Sequence, residues 1–245
     1  MKIAVVSLFP EFVEQVGQWG VTGRALKRGL LSLEVLNPRE FAQDRHRTVD
    51  DRVYGGGPGM VMQSPVLSAA LSAARQVAGA EAKLAYLSPQ GEPLTQDLAR
   101  RFAQLPGLVL LCGRYEGVDE RLIETEVDFE LSIGDYILSG GELAAMVVID
   151  TIARLLPGAL NDAESAAQES FTDGLLDHPQ YTRPENWAGR PVPEVLLSGD
   201  HAAIARWRMK QALGRTWLKR PELLEGLGLN AEQQTLLREW IEEQG

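Results

Sequence analysis

Four short apolar runs, each broken off by turn-forming residues, constrain this chain more than any other feature. Residues 2–8 run into Phe9-Pro10, residues 83–87 into Ser88-Pro89-Gln90-Gly91, residues 108–111 into Cys112-Gly113, and residues 129–133 into Gly134-Asp135. None alternates cleanly between apolar and polar positions, which is the pattern of strands buried on both faces of a parallel sheet. Helical stretches lie between them. Ser64 caps a helix with Pro65 at its first position and an alanine-rich body to Ala78. Thr95 caps a second helix through Leu105, and residues 116–126 form a third. Residues 141–156 are mostly apolar and stop at Pro157-Gly158, so this segment packs in the core or against a second subunit. Strand and helix alternating in this way predict an α/β fold on a parallel sheet.

After Pro157-Gly158 the character changes. Residues 161–170 are small and polar, without apolar periodicity, and read as a mobile linker. A proline-rich extended region from Pro179 to Pro193 follows. Two helical signals come next, one capped by Ser198 or Asp200 and stopping at Gly214, the other capped by Asn230 and running through Trp240. The expected organisation is residues 1–160 as the α/β domain, 161–174 as the linker and 175–245 as a small helical domain. At 245 residues and 44% hydrophobic content, the chain is large enough for one sizeable core and such a module.

Cys112 is the only cysteine, which excludes an intrachain disulfide and a multi-cysteine zinc site within one subunit. His46, His178 and His201 are too scattered to suggest a metal site, so none is assigned. The first residues fit neither a signal peptide nor a membrane span, and the expected location is the cytoplasm. A net charge of -10 argues at first against a nucleic-acid partner, yet the distribution is uneven. Between His201 and Pro221 stand Arg206, Arg208, Lys210, Arg215, Lys219 and Arg220, with no acid and with Trp207 and Trp217 interleaved. That stretch is either a basic, aromatic nucleic-acid patch or a solvated helical face whose tryptophans pack inward.

The carboxyl ends of strands in an open α/β sheet are where ligands collect. Here they carry Leu87-Ser88-Pro89-Gln90-Gly91, Cys112-Gly113-Arg114-Tyr115-Glu116-Gly117, and a loop from Ser132 to Glu142 containing Gly134, Gly140 and Gly141. Any one of these is explained by a tight turn. Three after successive strands suit a nucleotide-like ligand held by close backbone approach. No G-x-G-x-x-G follows the first strand and no G-x-x-x-x-G-K-[ST] occurs, so a dinucleotide-dependent oxidoreductase or a P-loop enzyme does not fit. A fourth glycine cluster, Tyr54-Gly55-Gly56-Gly57-Pro58-Gly59-Met60, follows Arg45, His46, Arg47 and Arg52. It is either a phosphate-binding nest or a surface loop.

These strings, with Ser7-Leu8-Phe9-Pro10, Gly20-Val21-Thr22-Gly23-Arg24-Ala25, Asp44-Arg45-His46-Arg47-Thr48-Val49-Asp50-Asp51 and Pro221-Glu222-Leu223-Leu224, resemble the bacterial tRNA (guanine-N1-)-methyltransferase family. The resemblance spans nearly the whole chain. It implies a deep trefoil knot of the SPOUT type, working as a homodimer with its active sites at the subunit interface. It also implies S-adenosylmethionine as methyl donor, the tRNA anticodon stem-loop as partner, and 1-methylguanine 3′ of the anticodon as product. The matching cofactor contacts are Tyr86, Leu87, Ser88, Pro89, Gly113, Arg114, Tyr115, Glu116, Ile133, Gly134, Tyr136, Leu138, Gly140 and Gly141.

For catalysis the family pairs an arginine, matched by Arg154, with a linker aspartate. On sequence alone Arg154 is equally a helix C-terminal arginine complementing the dipole. In place of the family's Glu-Asp-Ser-Phe this chain has Gln168-Glu169-Ser170-Phe171, so Glu169 stands at the general-base position with one extra methylene. Asp162, Glu164 and Asp173 are the other linker carboxylates. A magnesium dependence is associated with the family, although no carboxylate cluster here forms a dedicated cage. The change at Glu169 also raises an RNA-binding protein that has lost its base as a rival, and a knotted enzyme acting on a ribose or another base as a second.

Overall fold

The computed structural model describes residues 1–160 and 169–244. Residues 161–168, expected to form most of the linker and including Asp162 and Glu164, lie outside the described residues. The chain divides into two compact units, Met1–Ala163 and Glu164–Gly245.

In the first unit the order is β1 (Lys2–Val6), α1 (Pro10–Glu14), α2 (Gly20–Lys27), β2 (Ser32–Leu36), β3 (Asp50–Arg52), β4 (Met60–Met62), α3 (Ser64–Ala78) and β5 (Lys83–Pro93). It continues with α4 (Gln96–Ala103), β6 (Gly107–Cys112), α5 (Glu120–Glu126), β7 (Phe129–Ser132) and α6 (Glu142–Ala153). Five strands form a parallel sheet in the order β2-β1-β6-β5-β7. β6 lies at its centre and is buried along its whole length. Its side chains alternate between two cores: Leu108, Leu110 and Cys112 join α4 and α6 on one face, while Val109 and Leu111 join α3 and α5 on the other. β1 divides in the same way, with Ile3 and Val5 against Ala4 and Val6. Two apolar faces explain why these segments read as unbroken apolar runs.

Several expected boundaries change. β2 was not expected; it is an edge strand with exposed Ser32 and Glu34, so its pattern lacks the apolar run of the central strands. Ser64 is not a cap, because the helix begins there with Gln63 as N-cap. The third helix starts at Glu120 rather than 116, capped by the Asp119 side chain on the Arg121 N–H. Residues 116 and 117 are held away from it by backbone bonds to β4. β5 does not end at Leu87: a bulge follows, and Glu92 and Pro93 pair again with Leu131 and Ser132 of β7.

The second unit contains a hairpin of β8 (Asn186–Trp187) and β9 (Arg190–Pro191), inside the stretch read as extended. It continues with α7 (His201–Lys219), α8 (Glu222–Glu225) and α9 (Ala231–Gln244). Asp200 caps α7 by accepting from the Ala202 and Ala203 N–H groups. Gly214 does not stop this helix. It lies buried in mid-helix, where a Cβ would enter the indole of Trp240 on α9. The glycine is there so that two helices can approach, and Leu175, Leu213 and Leu236 form the small core beside the contact. No helix among the described residues is long and apolar enough to cross a membrane.

Candidate functional site

The loops leaving the carboxyl ends of β5, β6 and β7 converge on one cavity of about 320 Å³. All fourteen residues named from the sequence as cofactor contacts stand on its wall. Six more line it: Gly117, Leu131, Ser132, Ile137, Ser139 and Ala144. Gly117, Ser132 and Ser139 lie inside the glycine-loop strings and were open to inference. Ala144 carries no local signal, since only the docking of α6 beneath the loops brings it there.

The loops are tied to one another through their backbones and one buried ion pair. Gly141 N–H donates to Gly113 O at 3.0 Å, and Gly117 N–H to Arg114 O at 3.0 Å. Glu142, in the first turn of α6, is 1% exposed. It accepts from Arg114 Nε at 3.0 Å and from Ser7 Oγ at 2.9 Å, while Arg114 Nη1 donates to Ser139 O at 3.0 Å. The Arg114 guanidinium also lies 4.4 Å from the Phe9 ring centroid. A buried carboxylate is retained only when paired and hydrogen-bonded, and here both oxygens are satisfied. Nothing in the sequence around Ser7, Arg114 or Glu142 announces this pairing, because the partners of Glu142 are 28 and 135 positions away.

Glycine at 140 is required by this arrangement. A Cβ there would meet Arg114 Nε, and would stand 2.6 Å from Glu142 Oε2, neither of which can move without breaking the pair. The chemistry of the lining is that of binding. Burial, with Glu142 nearby, pushes the Cys112 thiol well up, so it is a neutral packing group rather than a nucleophile. Burial and the Glu130 charge raise the Tyr86 phenol. Backbone approach, apolar strand ends and neutral hydroxyls on a cavity of this size suit a nucleoside-like ligand.

The glycine cluster 54–59 connects β3 to β4, with Tyr54 fully open. Glu116 N–H donates to Met60 O at 2.9 Å, so this loop is joined to the wall of the cavity. Arg154 is the C-cap of α6 and is not on the cavity wall. Twelve helical residues separate it from Gly141, about 18 Å along the axis. Glu169 belongs to the second unit, where it lines a separate cavity with Asp173, His178 and Arg208. Among the described residues no group of three or more His, Cys, Asp or Glu is placed to hold a metal ion.

Two surfaces adjoin these sites. Beside the first-unit cavity, Tyr136, Ile137, Leu143 and Val147 are exposed, and with Ile133, Leu138 and Met146 they make an apolar face along α6. In the second unit the basic patch is divided. Arg206 and Lys210 are paired at 2.6 Å with Glu239 and Glu243 of α9, and Arg220 is paired with Glu222. Arg208, Arg215 and Lys219 form no ion pair among the described residues. Trp217 packs edge-on against Trp240 and Trp207 against His178 and Tyr181, as in the alternative of a helical face whose tryptophans pack inward.

A family model described as tRNA (Guanine-1)-methyltransferase TrmD matches residues 1–226. A tRNA (guanine-N(1)-)-methyltransferase of Methylococcus capsulatus is 62% identical over 243 residues, covering 99% of this chain and 97% of the relative. Proteins of the same name from Aeromonas salmonicida and Halorhodospira halophila are each 60% identical, over 99% of this chain and 98% and 92% of their own lengths. Cavity, loop strings and relatives agree along nearly the whole length, and the chain belongs to the tRNA (guanine-1)-methyltransferase TrmD family.

Proposed function

We propose that this protein transfers a methyl group from S-adenosylmethionine to N1 of the guanine immediately 3′ of the tRNA anticodon, position 37. The observation that carries the proposal is the convergence of the three glycine loops on one cavity in a chain of this family. Tyr86, Leu87, Ser88 and Pro89 from β5, Gly113 to Glu116 after β6, and Ile133 to Gly141 after β7 hold the methyl donor. The lining fits it: a close backbone cradle at Gly140, an ordered Arg114, and a neighbouring Cys112 thiol kept neutral by burial. When bound, the donor supplies an electrophilic methyl group on a sulfonium.

Guanine N1 carries a proton at neutral pH and must lose it as the N–C bond forms, while the S–CH3 bond would break with its electron pair left on sulfur as a neutral thioether. Glu169 accepts that proton. Charge then moves towards guanine O6, where the Arg154 guanidinium opposes it. A residue about 18 Å from Gly141 on its own chain reaches the reacting base when a second copy presents it, and the exposed apolar face along α6 is the surface for that copy. The working form is therefore a homodimer with sites at the interface, its three loops tied as the trefoil knot of this family. A site completed only when cofactor and tRNA are both bound makes transfer depend on the right substrate. The target guanine leaves its stack to expose N1. Magnesium acts with the RNA, and the reaction takes place in the cytoplasm.

The test is incubation of the full chain with methyl-labelled S-adenosylmethionine and unmodified tRNA bearing guanine 3′ of the anticodon, followed by nucleoside analysis. Label in 1-methylguanosine is the expected result. Label in a ribose or another base overturns the target, and donor binding without transfer overturns the assignment of Glu169 as an active base.

A further inference from the structure

The second unit contains a cavity of about 410 Å³ that none of the chemistry above uses. Its wall carries the rings of His178, Tyr181 and Trp207 together with Arg183 and Arg208, and Glu185 is the one carboxylate lining it. Trp207 is the hub. Its ring centroid is 6.4 Å from His178 and 6.2 Å from Tyr181, at interplanar angles of 57° and 56°. No two of these rings are stacked face to face, so π-surface remains for another flat group. Tyr181 is 49% exposed although it stands on the cavity wall. A purely structural cluster would have closed over that ring.

Arg208 joins this cavity to further cations of α7. At 100° per residue, Arg208, Arg215 and Lys219 fall within an arc of about 40° around the helix, spaced about 10 and 6 Å along it. The acids of α9 pair with the neighbouring face at Arg206 and Lys210, while this stripe forms no ion pair among the described residues. In a chain of net charge -10, a line of cations leading into an aromatic cavity is the complement of a polyanion that carries flat rings.

We propose that this cavity receives one unpaired base of the anticodon loop, other than the methylated guanine, on the open face of Tyr181 beside Trp207, with Arg208 on the adjoining phosphate. The inference rests on tRNA being the substrate and adds a second point of grip on its loop. Stacking is tolerant of base identity, so the site measures whether a splayed-out base is present at the right distance and not which base it is.

The full-length protein is titrated with anticodon stem-loop RNAs carrying one abasic site at each loop position in turn. One position other than the target guanine should weaken binding about 5- to 100-fold when its base is removed. Tyr181→Leu should weaken binding of the intact RNA by a similar factor and abolish that abasic penalty, whereas Tyr181→Phe should preserve both. Trp207→Leu repeats the test on the other wall, and Arg208→Gln should lower the slope of log K against log salt by about one. Wild-type affinity in both leucine variants, or an unchanged abasic penalty in either one that retains the wild-type unfolding midpoint, overturns the proposal. Methyl transfer is followed alongside: no 1-methylguanosine from the wild type overturns the substrate itself, while transfer without loop coupling overturns this cavity assignment alone.

Discussion

Arg114 is the clearest case of a charged residue whose role is decided by its partners. Glu142, Ser139 and the Phe9 face hold its guanidinium, so it fixes the shape of the cavity and is not free to seek an anion. Gly140→Ala places a methyl group against that pair. The expected outcome is at least a tenfold loss of S-adenosylmethionine affinity with a stability loss of about 1–3 kcal/mol, read by calorimetry and thermal unfolding. Glu169→Gln removes a proton acceptor without touching the cavity wall. Turnover should fall about 10²- to 10⁴-fold with donor affinity nearly unchanged, and wild-type turnover would remove Glu169 from the mechanism. The glycines and strand-end residues of the cavity were legible in the sequence because each follows a strand directly. The pairing of Ser7, Arg114 and Glu142 was not, since nothing local announces a contact between residues so far apart in the chain.

At the scale of elements, glycine carried two meanings that sequence does not separate. Gly214 looked like a helix stop, yet it is the point where α7 and α9 touch. Alanine favours an isolated helix by about 1 kcal/mol over glycine, but here its methyl group must displace the Trp240 ring. Gly214→Ala should therefore destabilise the second unit by about 1–3 kcal/mol in denaturant unfolding and leave donor binding intact. Asp128 ties β7 to β5 by accepting from the Leu84 N–H at 2.8 Å and from Lys83 Nζ at 3.0 Å. Burial alone would raise its carboxyl; the Leu84 N–H, Lys83 and Arg75 outweigh that and hold it below the usual range. A folded-state value below the unfolded one contributes stability above about pH 4, lost as the pH falls through the folded value. Asp128→Asn should lower stability by about 1 kcal/mol at neutral pH and flatten the acid limb of the stability profile. An equally steep acid limb in the variant would assign it to other carboxylates.

For the molecule as a whole, the unresolved demand is the uncovered apolar face of α6 beside the cavity. Leu143 and Val147 are apolar side chains on the outward face of α6, and burying them against another surface would remove that area from water. The double substitution Leu143→Glu, Val147→Glu should give a folded monomer by sedimentation, with methyl transfer reduced about 100-fold or more. A dimer that persisted with full activity would place the interface elsewhere. Of the two expectations for residues 141–156, packing in the core holds for one face of α6, and the sedimentation experiment tests the other.

What the sequence determined by itself was everything governed by local pattern. Runs apolar at every position require two covered faces, and strand ends rich in glycine mark where backbone can come close to a ligand. Family strings then named the fourteen residues that stand around one cavity. Tertiary structure alone decided the edge strand β2, the buried Glu142 that orders Arg114, the packing purpose of Gly214, and which cations of α7 pair with the acids of α9. Each of these depends on which distant segment arrives beside a residue. A charge or a missing Cβ has the same appearance in sequence whether its partner is water, an acid two helices away, or an indole.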